Sequence, residues 1–150
     1  MNTIKTKMRE HLPHENDRWS AIQNQAKNLL LKSPVNYFAL RPTAIPEGGG
    51  IYLITLKEGK KKEYSLFLSP SSSLRHEIVN KRTAFFVSKK GGETVQINKW
   101  GKPSILLEED FLPYIQKNCF IRILAEENAQ DRLALTIAVS LLVKPVYINN

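Results

Sequence analysis

Apolar residues recur along this chain with two different periods, and the switches between them divide it into elements. Trp19, Ile22, Ala26, Leu29 and Leu30 follow one another at helical spacing and form an amphipathic stripe. Asn16 or Asp17 is placed to cap the start of this helix, a side-chain oxygen accepting from free backbone amides. Ser33-Pro34 ends it, because a proline disfavours helical backbone in the residue before it. Residues 1–15 mix charges with Pro13 and His14 without a period and read as a loose leader. Asn36 to Gly49 reads as a connection, anchored to the core through Tyr37, Phe38, Ala39 and Leu40.

Beyond Gly49 the period changes. Ile51 to Lys57 and Tyr64 to Ser69 predict two strands. The polar link Glu58-Gly59-Lys60-Lys61-Lys62 joins them as an antiparallel hairpin. Ser71 to Ser73 offer capping hydroxyls for a short helix over Leu74 to Lys81. Thr83 to Val87 and Glu93 to Asn98 predict a second hairpin, turning through Ser88-Lys89-Lys90-Gly91-Gly92. Ile105 to Gln116 fits neither period and is interrupted by Pro113. Asn118 to Ala125 is strand-like. Asn128 is placed to cap a helix over Ala129 to Val143, which Pro145 stops. This order predicts an α/β fold of the α+β type: a small antiparallel sheet flanked by helices, with an extra N-terminal helix and an inserted hairpin. Residues 16–150 are expected to form one domain, since 150 residues supply enough chain for a single core.

Composition narrows the class. The 42% hydrophobic and 24% charged residues suit a soluble globular protein, and no apolar run approaches the ~20 residues of a membrane span. The N-terminal residues lack the apolar core of a secretory signal. Cys119 is the only cysteine, which rules out an internal disulfide and any multi-cysteine metal site. It stands in the apolar run Cys119-Phe120-Ile121 and reads as a buried structural thiol. An intracellular, cytoplasmic protein is expected. The formal net charge of +8 favours a polyanionic partner, nucleic acid first; DNA is the expected partner, although charge does not separate it from RNA.

Three separated motifs stand in order. Gly50-Ile51-Tyr52 opens the first strand; Leu68 to Arg75 runs from a strand through a serine-rich turn into a helix; Asp131-Arg132-Leu133 begins the helix that leads to Lys144-Pro145-Val146-Tyr147. Together they resemble the GIY-YIG nuclease family, over Pro46 to about Asn149 with a gap for the Thr83 to Asn98 hairpin. The resemblance implies a three-stranded antiparallel sheet with surrounding helices. It also implies a site of two strand tyrosines, a helix arginine, and a glutamate holding a divalent metal, Mg or Mn. Phosphodiester cleavage needs such a Lewis acid and oriented donors around developing negative charge.

Residue by residue, the resemblance is degenerate. Tyr52 matches the first tyrosine. The second motif falls on Phe67-Leu68-Ser69, without the hydroxyl or the glycine. Tyr64 lies three residues earlier, a shift that reverses its face in a regular strand. Arg75 matches the first arginine of the helix motif, while the catalytic arginine position falls on Glu77. The metal-binding glutamate position, eight residues before Lys144, falls on Thr136. The framework is kept and the chemistry is replaced.

Three functions fit this pattern. The first is a catalytically degenerate module that binds nucleic acid through Lys60, Lys61, Lys62, Arg75, Lys89, Lys90, Lys99 and Lys102, with Trp100 stacking on a base. It needs no cofactor and no metal. The second is a divalent-metal-dependent endonuclease with a rearranged site. There Tyr52, Arg75 and His76 are the catalytic candidates, alongside Tyr64 and Glu77, with Glu126, Glu127 or Asp131 as ligands. The third is a protein-interaction subunit that docks a partner through the N-terminal helix or a sheet edge.

Overall fold

The computed structural model describes residues 2–58, 62–80, 86–90, 93–96, 105–107, 116–145 and 147–148, with side chains placed over 17–57, 63–79, 116–145 and 148. Helix α1 spans Asn2–Leu31, so the backbone of 2–15 continues the helix and is not a loose leader. The physical reason is that once a packed segment nucleates a helix, extending it adds a hydrogen bond for each residue fixed. Pro13 lacks a backbone N–H and withdraws one bond from that ladder.

A five-stranded sheet forms the core. Its order is β1 (Val35–Asn36), β7 (Cys119–Ala125), β2 (Gly50–Glu58), β3 (Lys62–Ser71) and β8 (Tyr147–Ile148). All neighbours are antiparallel except β3 and β8, which pair in parallel. Strand β8 was not legible as a strand, since two residues after a proline carry no periodic signal. Helices α2 (Leu74–Asn80) and α3 (Ala129–Val143) pack against this sheet. Asn128 caps α3 as its position predicts, its side chain accepting from the Asp131 amide.

Strand alternation sorts the core into two layers. Ile51, Leu53 and Leu68 pack on one face against Ile22, Ala26 and Leu29 of α1 and Leu135, Ala138 and Val139 of α3. Tyr52, Ile54 and Phe67 pack on the other, against Leu74 and Ile78 of α2 and Tyr37, Leu40 and Ile45 of the connection. The two apolar periods of the sequence therefore meet at one sheet. Trp19, the first position of the helical stripe, is exposed rather than buried.

A second, three-stranded sheet contains β4 (Phe86–Lys90), β5 (Glu93–Gln96) and β6 (Ile105–Leu107). β4 and β5 form the inserted hairpin, with Lys90 opposite Glu93. Lys89 and Lys90 thus belong to the strand and not to the turn, because residues 91–92 suffice to connect the ladder. β6 pairs with β4 in parallel, inside the segment whose periodicity was ambiguous.

Candidate functional site

Gly50 begins β2 because the backbone there leaves no room for a side chain. A Cβ at this position would overlap the Leu124 carbonyl oxygen on β7 and Leu74 Cδ1 on α2. The glycine thereby sets how closely β7, β2 and α2 approach, and it brings Tyr52 under α2.

Tyr52 does not line an open concave surface. It is 2% exposed and stands opposite Ser69 on β3 and Ile123 on β7. Its ring lies 5.9 Å from that of Phe67. Burial pushes the phenol well above its ordinary value, and the charge and hydrogen bond of Glu77 push it further. Ser69 offsets part of the rise. A phenol held this way donates to a carboxylate and does not act as a base near neutral pH. Glu77 stands in the first turn of α2, with Oε2 buried.

The other residues singled out in the sequence serve separate purposes. The Arg75 guanidinium donates from Nε and Nη2 to the Ile45 carbonyl at 3.0 and 2.9 Å and from Nη1 to Glu47 at 2.7 Å. It fastens α2 to the chain entering β2. His76 is exposed on α2. Thr136 is buried on α3, its hydroxyl donating to the Arg132 carbonyl at 2.8 Å. Tyr52 and α3 pack on opposite faces of the sheet, so Tyr52 and Thr136 do not converge on one groove. A divalent cation finds no carboxylate at Thr136, and the residues present do not fit one there. Glu126, Glu127 and Asp131 hold the chain before and at the start of α3. Glu126 accepts from the Asn128 amide, Glu127 from the Gly49 amide, and Asp131 pairs with Arg18 of α1.

Tyr64 shares the face of Tyr52, contrary to simple alternation. The ladder runs Ile54–Phe67 and then Thr55–Ser65, which leaves Leu66 as an extra residue on β3. This bulge restores the parity that a shift of three removes, and Tyr64 stands opposite Leu56. It is exposed and stands one same-face step beyond Phe67, opposite Leu56 rather than Ile54, so it does not occupy the position of a tyrosine at Phe67.

The sequence reading missed a polar cavity on the helix-covered face. About 270 Å³ opens among Leu30, Leu53, Thr55, Glu63, Ser65, Arg122 and Val143. Arg122 is buried and donates to the Lys32 carbonyl at 2.9 Å and to both carboxylate oxygens of Glu63. Burial alone would raise the Glu63 carboxyl; the Arg122 hydrogen bond, the Thr55 hydroxyl and the charges of Arg122 and Lys57 outweigh it and hold the pKa low. The available signal was an arginine inside the otherwise apolar Cys119 to Ala125 strand, since a buried charge requires a partner.

Of the predicted nucleic-acid contacts, Lys62 closes the β2–β3 ladder opposite Glu58, and Lys89 and Lys90 end β4. Lys60, Lys61, Lys99, Trp100 and Lys102 lie outside the described residues. Among the described residues no group of three or more His, Cys, Asp or Glu side chains converges, and no helix is long and apolar enough to cross a membrane. No protein-family model, curated protein or solved structure matches the chain.

Proposed function

We propose that this protein binds nucleic acid, DNA foremost, through lysine-bearing hairpin ends and without cleaving it, as a degenerate relative of the GIY-YIG nucleases in the cytoplasm. The observation that carries the reading is the register of the two hairpins. It sets Lys62 at the end of one ladder and Lys89 and Lys90 at the end of another, in a chain of net charge +8. Ammonium groups at strand ends meet phosphates and release counterions without reading bases. Lys60 and Lys61 precede Lys62 in the sequence and add to the charge available for phosphate.

The absence of cleavage is supported by how the motif residues are used. Tyr52 is closed in the core against Glu77, and Arg75 is spent on Ile45 and Glu47. Removing one preorganised electrostatic group typically lowers a rate by ~10²–10³, and here several are diverted at once.

Binding is tested by retention on a DNA column across a salt series. Replacing Lys60, Lys61 and Lys62 with glutamate is expected to weaken binding and to lower the slope of log affinity against log salt by about 3, roughly one for each lost phosphate contact. Unchanged retention of that variant would refute the reading. Purified protein is also incubated with supercoiled plasmid, single-stranded DNA and RNA in Mg or Mn. No cleavage is expected. Metal-dependent cleavage abolished by Tyr52→Phe would establish the rearranged nuclease instead.

A further inference from the structure

From Leu133 to Val143, α3 contains eleven consecutive residues without a charge. Only one side of that stretch is consumed by the core: Leu135, Ala138 and Val139 point into the layer shared with α1 and the sheet. The other side stays in solvent. Leu133 is 53% exposed, Ile137 56%, Leu141 68% and Leu142 50%, and Trp19 of α1 adds an indole 40% exposed beside them. Between α1 and α3 a notch of about 90 Å³ is lined by Trp19, Gln23, Lys27, Ala138, Leu141 and Leu142. Half or more of four aliphatic side chains and part of an indole make an apolar patch on the order of 500 Å², at the size that marks interaction surfaces.

We infer that this face of α3 is a two-fold interface with a second copy of the same chain, the two α3 helices packing antiparallel about Ile137. Three observations select that occupant. Leu133, Ile137 and Leu141 are spaced symmetrically about Ile137, so a two-fold axis there sets Leu133 of each copy against Leu141 of the other and Ile137 against itself. An isologous interface requires this reciprocity. The ends differ in the sign of their charge: Glu126, Glu127 and Asp131 outnumber Arg132 and the Arg18 partner of Asp131 at the start of the helix, and Lys144 follows its end. Antiparallel packing brings each acidic end to the partner's lysine and opposes the two helix dipoles favourably. Finally, the Leu133, Ile137 and Leu141 seam of α3 is free of charge, and Lys27 stands at its edge, in the notch beside Trp19. Two such patches bury about 1,000 Å² of apolar surface, and a polar rim brings the total into the range of about 1,200–2,000 Å² found for stable pairs.

The test is sedimentation equilibrium of the full chain, freed of nucleic acid by nuclease and high-salt washing, over about 1 to 100 μM, a range that brackets micromolar association. A dimer mass that grows with concentration is expected. Ile137→Glu should raise the dimer Kd by about 100-fold or more, because it buries two unpaired carboxylates at the axis. Its circular dichroism and melting temperature as a monomer should stay unchanged, since the side chain is exposed. A second variant tests the geometry. Ile137→Cys should form a symmetric disulfide when oxidised by glutathione disulfide, while Ser72→Cys, in the exposed turn before α2, should not; the native Cys119 is buried. A wild-type monomer at the highest concentration, an Ile137→Glu dimer of unchanged affinity, or no preferential cross-linking at position 137 would overturn the assignment.

Discussion

Tyr52 shows how one hydroxyl can be kept for structure. Its O–H sits in the core and donates to the Glu77 carboxylate, so Tyr52→Phe leaves that carboxylate short of a buried donor. The variant is expected to lose about 1–3 kcal/mol of stability, read in urea as a lower midpoint at unchanged slope. A midpoint equal to wild type would show that the phenol contributes no net bond. Glu63 makes a second residue-scale prediction through pH. Its folded pKa lies below the ordinary 4.5, so its ion pair with Arg122 stabilises the fold above that value. That stability is lost as pH falls toward the lower folded pKa. Glu63→Gln should therefore be less stable than wild type at neutral pH. As pH falls below the ordinary 4.5 it should lose less stability than wild type does. Parallel pH profiles would contradict this.

At the scale of elements, the informative positions are where one strand meets another. Gly50 permits the approach of β7 and α2 to β2, and its neighbours are a backbone carbonyl and a packed leucine rather than a flexible side chain. Gly50→Ala is expected to destabilise by about 1–3 kcal/mol, since backbone must shift to admit a methyl group. Thermal unfolding measures it, and a loss under about 0.5 kcal/mol, the size of an ordinary surface substitution, would remove the steric argument. The bulge at Leu66 acts at the same scale. It places Leu66 and Phe67 together in one core layer, and it was invisible in a sequence read with strict alternation. The helix over Ala129–Val143 was readable to the residue, because a capping asparagine and a terminating Lys144-Pro145 are local chemistry.

Across the whole molecule, α1 and α3 are joined at one end by Arg18 and Asp131, distant in sequence and both accessible to solvent. Asp131 raises the Arg18 pKa through its hydrogen bond and its charge. The pair sits in screened surroundings, so Arg18→Gln should shift the unfolding midpoint little in dilute buffer, and the shift should vanish in molar salt. A large, salt-independent loss would mean that Arg18 packs as well as pairs. The net charge of +8 is also a whole-molecule property, fixed by composition.

Local signals determined most of the elements. The stripe from Ile22 to Leu30, the alternation from Ile51 to Leu56, and the caps of α3 each lie within a few residues, and short-range geometry decides them. The order of elements then determined the α+β class and the antiparallel pairing of β2 with β3. Pairing between distant segments was decided only in three dimensions. No local pattern states that β8 joins β3 in parallel, that Arg122 meets Glu63, or that α3 packs on the face opposite Tyr52. Those contacts close long loops, and they form because burying shared apolar surface outweighs the entropy of closure. The same long-range packing put Tyr52 in the core and left Leu133, Ile137 and Leu141 outside it. Sequence spacing alone distinguishes neither outcome.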